Sequence, residues 1–312
     1  PEVTTEELKE KMVLRASFDT SFSTSTANRK HNVKKAAGLL NGTVLKPGEE
    51  FSMNGVLGTR TYAAGWKAAP AIVKGGGDTE LQAGGGVCQV STTLYNAVLM
   101  ADLEITDRRG HSSRVSYVDG GLDATINSTG NIIDFKFKNN TASDILIVSY
   151  TKDNRVYTEV YGEPFSGDFD EIRLSSKRIG TVQPVGEGKI TVDPTKKPGY
   201  EEIVIERKTG TRWQSYKHYY KDGKLVRTEN IDVTTYKAHA GEKIVGPEAT
   251  PTPEPEKPTT KPTKPSKPTP TPSEPMPTPV PEPTPEPPVP TDAPEPVPDP
   301  DPPVASDDPP LG

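Results

Sequence analysis

The chain of 312 residues reads as an α+β protein. Three observations predict this: two stretches with apolar residues at helical spacing, a series of short strand-like runs divided by Gly, Asn and Asp turn signals, and a proline-rich end that fits neither pattern. The expected architecture is a helix carrying the single cysteine at its N-terminus and packed on an antiparallel sheet. A small all-β ribbon domain and a disordered tail follow it. The expected boundaries are residues 1–164, 165–246 and 247–312.

In chain order, residues 15–18 form the first candidate strand. Ala27 to Leu40 then sets Val33, Ala36, Ala37 and Leu40 on one helical face before the stop signal Asn41-Gly42. A second helix runs from Val87 to Met100. Its apolar stripe is Val87, Val90, Leu94, Ala97, Val98 and Ala101, leaving Gln89, Thr92, Thr93 and Asn96 off the stripe. Residues 113–117, 122–126, 132–138, 145–150 and 156–161 read as short strands, separated by Asp119-Gly120-Gly121, Asn139-Asn140 and Lys152-Asp153-Asn154. A composition change at 162–168 marks the domain boundary. Beyond it, 189–192, 201–208, 212–220 and 224–231 read as thin antiparallel ribbons with Asp222-Gly223 as a hairpin turn. The tail holds 27 of the 34 prolines and almost no large apolar residue, so it cannot bury a core.

Charge excludes one class of function. The tail carries four Lys against twelve acidic residues, so residues 1–246 hold 33 basic and 31 acidic side chains and are nearly neutral. A nucleic-acid binder would carry a basic excess, so no nucleic acid is expected as a partner. No apolar run is long enough to cross a bilayer. The N-terminus, Pro1-Glu2-Val3-Thr4, lacks a methionine and a signal-peptide pattern. The expectation is an exported fragment, with any membrane anchor upstream of Pro1 and the tail acting as a stiff spacer. His31, His111, His218 and His239 have no metal-ligand spacing with Cys88, so neither a metal nor a cofactor is expected.

Cys88 follows Gly84-Gly85-Gly86 and opens the second helix. Helix starts leave backbone N–H groups unpaired and concentrate positive potential, which favours thiolate over thiol. A thiolate nucleophile needs a proton acceptor within reach and a group that fixes the acceptor's tautomer. His111 and Asp123 supply these types in chain order, each expected to open a strand beside the helix start. Backbone N–H groups from Gly86 to Gln89 are the candidate oxyanion donors, and Ser91 lies one turn further on. Arg60 and Arg108 are candidates to hold a substrate carboxylate, because a guanidinium pairs with one in a bidentate fork.

The runs Ala36 to Ser52, Gly58-Thr59-Arg60-Thr61, Gly84 to Leu99, His111-Ser112 and Asp123-Ala124-Thr125 together resemble the VanW family of bacterial cell-envelope proteins over about residues 13–150. The resemblance implies L,D-transpeptidase activity on peptidoglycan, with Cys88 in the place of the proposed nucleophile. The familiar YkuD-type L,D-transpeptidases carry His before Cys in a compact motif that this chain lacks. Residues 165–246 are similar, more faintly, to the five-glycine-type β domains thought to bind amino sugars, which implies cell-wall glycan as a further partner.

The expected function is therefore a peptidoglycan L,D-transpeptidase forming 3→3 cross-links through a Cys88 acyl-enzyme. It would act on stem peptides at the envelope of a bacterium, Gram-positive by expectation. A cysteine peptidase acting on the same stems is the nearest alternative. A non-catalytic wall-binding module, with Gly75-Gly76-Gly77 and Gly84-Gly85-Gly86 shaping a groove around a buried Cys88, is the other.

Overall fold

The computed structural model describes residues 12–72, 79–165 and 167–248. The expected tail from 249 onward and the Gly75-Gly76-Gly77 groove lie outside the described residues. The described residues all belong to one compact unit.

The elements run β1 (Val13–Ser21), α1 (Ala27–Leu40), β2 (Thr43–Leu45), β3 (Glu50–Ser52), α2 (Met53–Leu57), β4 (Ala68–Ile72), β5 (Thr79–Ala83), α3 (Val87–Met100), β6 (Glu104–Asp107) and β7 (Lys136–Lys138). They continue with β8 (Ile145–Lys152), β9 (Arg155–Gly162), β10 (Glu171–Val182), β11 (Lys189–Val192), β12 (Glu201–Ile205), β13 (Gly210–Lys221), β14 (Lys224–Tyr236) and β15 (Glu242–Val245). The main sheet is antiparallel in the order β1-β9-β8-β2. Smaller sheets have the orders β3-β7-β6, β4-β5, β10-β13-β14 and β11-β15-β12. The last is mixed, since β11 pairs parallel with β15, where antiparallel ribbons are the expectation.

Local chemistry accounts for the element ends. Thr26 caps α1 by accepting the Arg29 N–H, and the helix buries Val33, Ala36, Ala37 and Leu40, the face its spacing predicts. The β8–β9 hairpin turns on Asp153 and Asn154, both at positive φ (50° and 58°). The β13–β14 hairpin turns on Asp222 and Gly223 (49° and 73°). Both pairs have the left-handed conformation that two-residue loops need to match strand twist.

The core lies where α1 and α3 pack on the main sheet. Twelve of the fourteen residues of α3 are buried, polar ones included. Thr93 meets Thr20 of β1 at 2.8 Å, and Asn96 Nδ2 donates to the Leu122 carbonyl at 2.8 Å. Thr92 Oγ1 both accepts from the Ala124 N–H (3.0 Å) and lies 3.3 Å from its carbonyl. Gln89, Thr92, Thr93 and Asn96, off the apolar stripe, therefore bind neighbouring chain, as buried polar groups generally do, with Ser91 Oγ and Asn96 Oδ1 left unpartnered among the described residues.

These bonds correct one expectation. Residues 113–117 and 122–126 are not strands: the latter is an extended segment laid along α3 and held by helix side chains, with the Thr125 N–H donating to the Arg109 carbonyl at 2.8 Å. The alternation Leu122, Ala124, Ile126 does face the core. The partner is a helix, so no ladder forms.

Candidate active site

Three loops and one helix start build the site. The Gly84-Gly85-Gly86 turn feeds α3. Gly84 and Gly86 have φ of +85° and +108°, which side-chain-bearing residues rarely adopt, and a Cβ on Gly85 would sit 2.3 Å from the Ala69 carbonyl oxygen of β4. Asn32 of α1 fixes the turn by donating to the carbonyls of Lys67 (2.9 Å) and Gly85 (3.0 Å). Cys88, second residue of α3, is thus set rigidly at the helix start and half-buried.

The Cys88 sulfur has the Ile126 carbonyl at 3.5 Å and the Thr125 hydroxyl at 3.6 Å, and the His111 imidazole is the group that most favours its ionised form. The His111 Nδ1 lies 2.6 Å from Asp123 Oδ2, which also accepts the His111 backbone N–H at 2.6 Å. Nδ1 is occupied by the carboxylate, so Nε2 is the ring atom left to face the thiol. The structure thus brings Cys88, His111 and Asp123 together without the two strands expected to carry the last two.

The electrostatics follow from burial and charge. Burial pushes the Cys88 thiol up, but the hydrogen bond and charge of His111, with help from Ile126 and Thr125, bring it down to about 7. Burial pushes the His111 imidazole down, and Asp123 and Cys88 outweigh it, raising the group to about 9. Asp123 is fully buried, which favours its neutral form. The hydrogen bonds from His111 and Tyr236 nonetheless hold it below the usual carboxylate range. The two directions, thiol down and imidazole up, both favour the thiolate–imidazolium form of the pair.

The remaining site candidates separate. Val87 and Gln89 spend their N–H groups on the Gly84 and Gly86 carbonyls, while helix geometry leaves the Cys88 N–H without an intrahelical acceptor. Gly86 is the N-cap of α3. Gln89 is buried, donating to Thr20 Oγ1 and the Ser21 carbonyl and accepting from Arg29, so its side chain ties α3 to β1 instead of meeting a substrate. Ser91 is fully buried, with no partner for its hydroxyl among the described residues, and it too is removed from any substrate.

Arg108 needs the same correction. All five of its N–H donors are engaged, by the Asp123 carbonyl twice, the Gly121 carbonyl, Thr234 and Asp232, and its side chain is 6 % exposed. It braces the Asp123 loop and has no fork to offer a carboxylate. Arg60 differs: it spends Nη1 on Asn54 and the Gly58 carbonyl, covers Gly84, and feels the charge of Cys88. Burial lowers its pKa, and the Cys88 charge raises it.

Four participants lie beyond the sequence reading. Thr125 lies two residues after Asp123. Arg29, on α1, feels the charge of Cys88, and so does Tyr117, whose pKa is raised well above its usual value by burial and then by Cys88. Tyr236 comes from β14. Tyr117 also lines a cavity of about 490 Å³ with Phe18, Arg114, Leu122 and Leu174, although Cys88 itself does not. Among the described residues no cluster of His, Cys, Asp and Glu could hold a metal ion, and no helix is long and apolar enough to cross a membrane.

The model of the family described as VanW like protein matches residues 28–161, and this segment is a VanW-like domain. An uncharacterised protein of Bacillus subtilis, YoaR, is 44 % identical over 130 residues, covering 42 % of each chain. The vancomycin B-type resistance protein VanW of Enterococcus faecalis is 31 % identical over 141 residues, 44 % of this chain and 50 % of that one. The match thus spans half or less of either relative. Among solved structures, the G5 domain of an IgA1 protease covers 25 % of this chain at 15 % identity and a TM-score of 0.18. HP0197-G5 covers 24 % at 18 % identity and a TM-score of 0.14. Scores that low fix no fold.

Proposed function

We propose that the VanW-like domain is the catalytic part of a cell-wall acyltransferase, an L,D-transpeptidase that uses Cys88 as nucleophile. The observation that carries the reading is a thiol at a helix start whose ionised form is favoured by an imidazole that a buried carboxylate holds by Nδ1.

In this mechanism the Cys88 thiolate attacks the carbonyl carbon of the third residue of a tetrapeptide stem. The resulting oxyanion takes the Cys88 N–H at the positive end of α3. As the C–N bond breaks, the His111 imidazolium gives its proton to the departing amine, and the terminal amino acid leaves. The acyl-thioester remains. The side-chain amine of a second stem then attacks the thioester, His111 takes up the amine's proton, and Cys88 leaves again as thiolate. The product carries a 3→3 bond. If water takes the amine's place, the same residues make a peptidase. Arg60, whose Nε and Nη2 have no partner among the described residues, is the candidate anchor for a stem carboxylate, and the cavity beside Tyr117 is the candidate space for the second stem.

The family resemblance, together with a relative named as a vancomycin-resistance protein, supports placement at a bacterial cell envelope, and a Gram-positive one extends that reading. On sequence resemblance alone, residues 165–246 are proposed to meet the wall glycan.

The test is incubation of the full chain with tetrapeptide muropeptides and mass analysis of the products. Dimers joined between third residues are expected. Tripeptides alone would make the protein a hydrolase, and products that persist in Cys88→Ala would remove the nucleophile assignment. No products, with a Cys88 that resists alkylation until the protein unfolds, would leave a wall-binding module.

A further inference from the structure

The β10–β13–β14 sheet makes contacts that a passive neighbour of the VanW-like domain would not need. At the end of β14, the Tyr236 hydroxyl donates to Asp123 Oδ1 at 2.5 Å and accepts the Gly121 N–H at 2.8 Å. One residue on, the Lys237 N–H donates to the Ser112 carbonyl at 2.8 Å. Thr234 and Asp232 of the same strand take the Arg108 guanidinium, which in turn holds the Asp123 carbonyl. Two glycines of the loop are fitted to this sheet: a Cβ on Gly110 would lie 2.8 Å from Thr234, and one on Gly120 2.4 Å from the Trp213 ring.

We infer that Tyr236 is a positioning residue for the Cys88 site, so that the β sheet following the VanW-like domain completes the catalytic unit instead of merely adjoining it. The inference rests on the cysteine-acyltransferase reading.

The argument is one of lone pairs. Asp123 is fully buried, with Oδ2 given to His111 and Oδ1 to Tyr236. Apart from Tyr236, Arg108 Nη2 stands 3.6 Å from Oδ1. Without the hydroxyl, a buried carboxylate oxygen loses its close donor and the carboxylate turns to find another. That turn moves Oδ2 off Nδ1, and the imidazole no longer faces the sulfur squarely. The charged and titratable groups bearing on this chain of contacts are Arg108, Asp232, Tyr95 and Tyr236 around Asp123, and Arg29, Arg60 and Tyr117 around Cys88. None of the last three is a hydrogen-bond partner of the sulfur.

The experiment measures the rate of Cys88 alkylation by iodoacetamide against pH, together with transfer kinetics, in the full chain and its Tyr236→Phe variant. Tyr219→Phe, on the same sheet, serves as control: its hydroxyl bonds Glu229 of β14 and Asp102 in the turn after α3, away from the site. The wild type and Tyr219→Phe are expected to share an alkylation midpoint of about 7. In Tyr236→Phe the midpoint should move toward the ordinary thiol value of 9.0, each unit lowering the thiolate fraction at pH 6 about tenfold, and kcat should fall with KM unchanged. Combining Tyr236→Phe with Asp123→Asn should add little to Asp123→Asn alone, because the hydroxyl acts through that carboxylate. A Tyr236→Phe variant that loses thermal stability but keeps the wild-type midpoint and kcat overturns the positioning role and leaves the acyltransferase reading standing. A wild-type midpoint near 9 overturns both.

Discussion

The Asp123 carboxylate grips His111 twice, with Oδ2 accepting both the ring Nδ1–H and the backbone N–H at 2.6 Å. One oxygen therefore sets the place of the residue and the direction of its ring. Asp123→Asn presents an amide that cannot stabilise the imidazolium, and its NH₂ competes for the wrong tautomer. We expect transfer to fall by about 10²–10⁴-fold and the thiol to titrate higher. Steady-state kinetics and alkylation at pH 6 check both effects. Unchanged alkylation would mean that Asp123 is structural.

The pH profile has a definite sign. Activity needs Cys88 ionised, so it rises as pH climbs through about 7, and it needs His111 protonated to release the amine, so it falls through about 9. The two values belong to the pair as a unit. A bell with its plateau between them is expected in kcat/KM for the free enzyme. A profile still rising beyond pH 10 would dissociate the imidazole from the chemistry.

Gly85→Ala tests the fit of the turn against β4. The added methyl would overlap the Ala69 carbonyl, which is backbone and cannot step aside. A loss of about 1–3 kcal/mol is expected from the forced backbone shift, with slower alkylation because Cys88 moves with the turn. Denaturant titration measures the first effect. Wild-type stability would show that the approach is looser.

Two polar residues inside α3 should respond in opposite ways. Asn96→Ala removes the donor to the Leu122 carbonyl and leaves that acceptor buried, at a cost of about 1–3 kcal/mol. Ser91→Ala removes a buried hydroxyl that has no partner among the described residues, so thermal stability should stay equal or rise, and transfer should be unaffected. Loss of transfer in Ser91→Ala at normal stability would return that side chain to the substrate.

Much of this was legible in residue order, and the gaps have physical causes. The bounds of α1 and α3 follow from apolar spacing and a glycine turn, and the hairpin turns from Asp-Asn and Asp-Gly pairs. Residues 122–126 read as a strand because a segment lying on a helix hides its apolar residues, here Leu122, Ala124 and Ile126, much as one lying in a sheet does. β10 escaped notice because its twelve residues bury Ile172 and little else. Arg108 looked available because sequence reveals a donor's presence and not what already occupies it. Tyr236 lies 113 residues beyond Asp123, and no spacing rule reaches that far.

The near-complete burial of α3 has a dynamic consequence. An element covered on all sides opens only when its surroundings open, so its amides beyond the first turn should be among the slowest in the protein to exchange with deuterium. Whatever motion admits or releases a ligand must come from the loops over the sulfur, while the atom itself keeps station at the end of a stiff post.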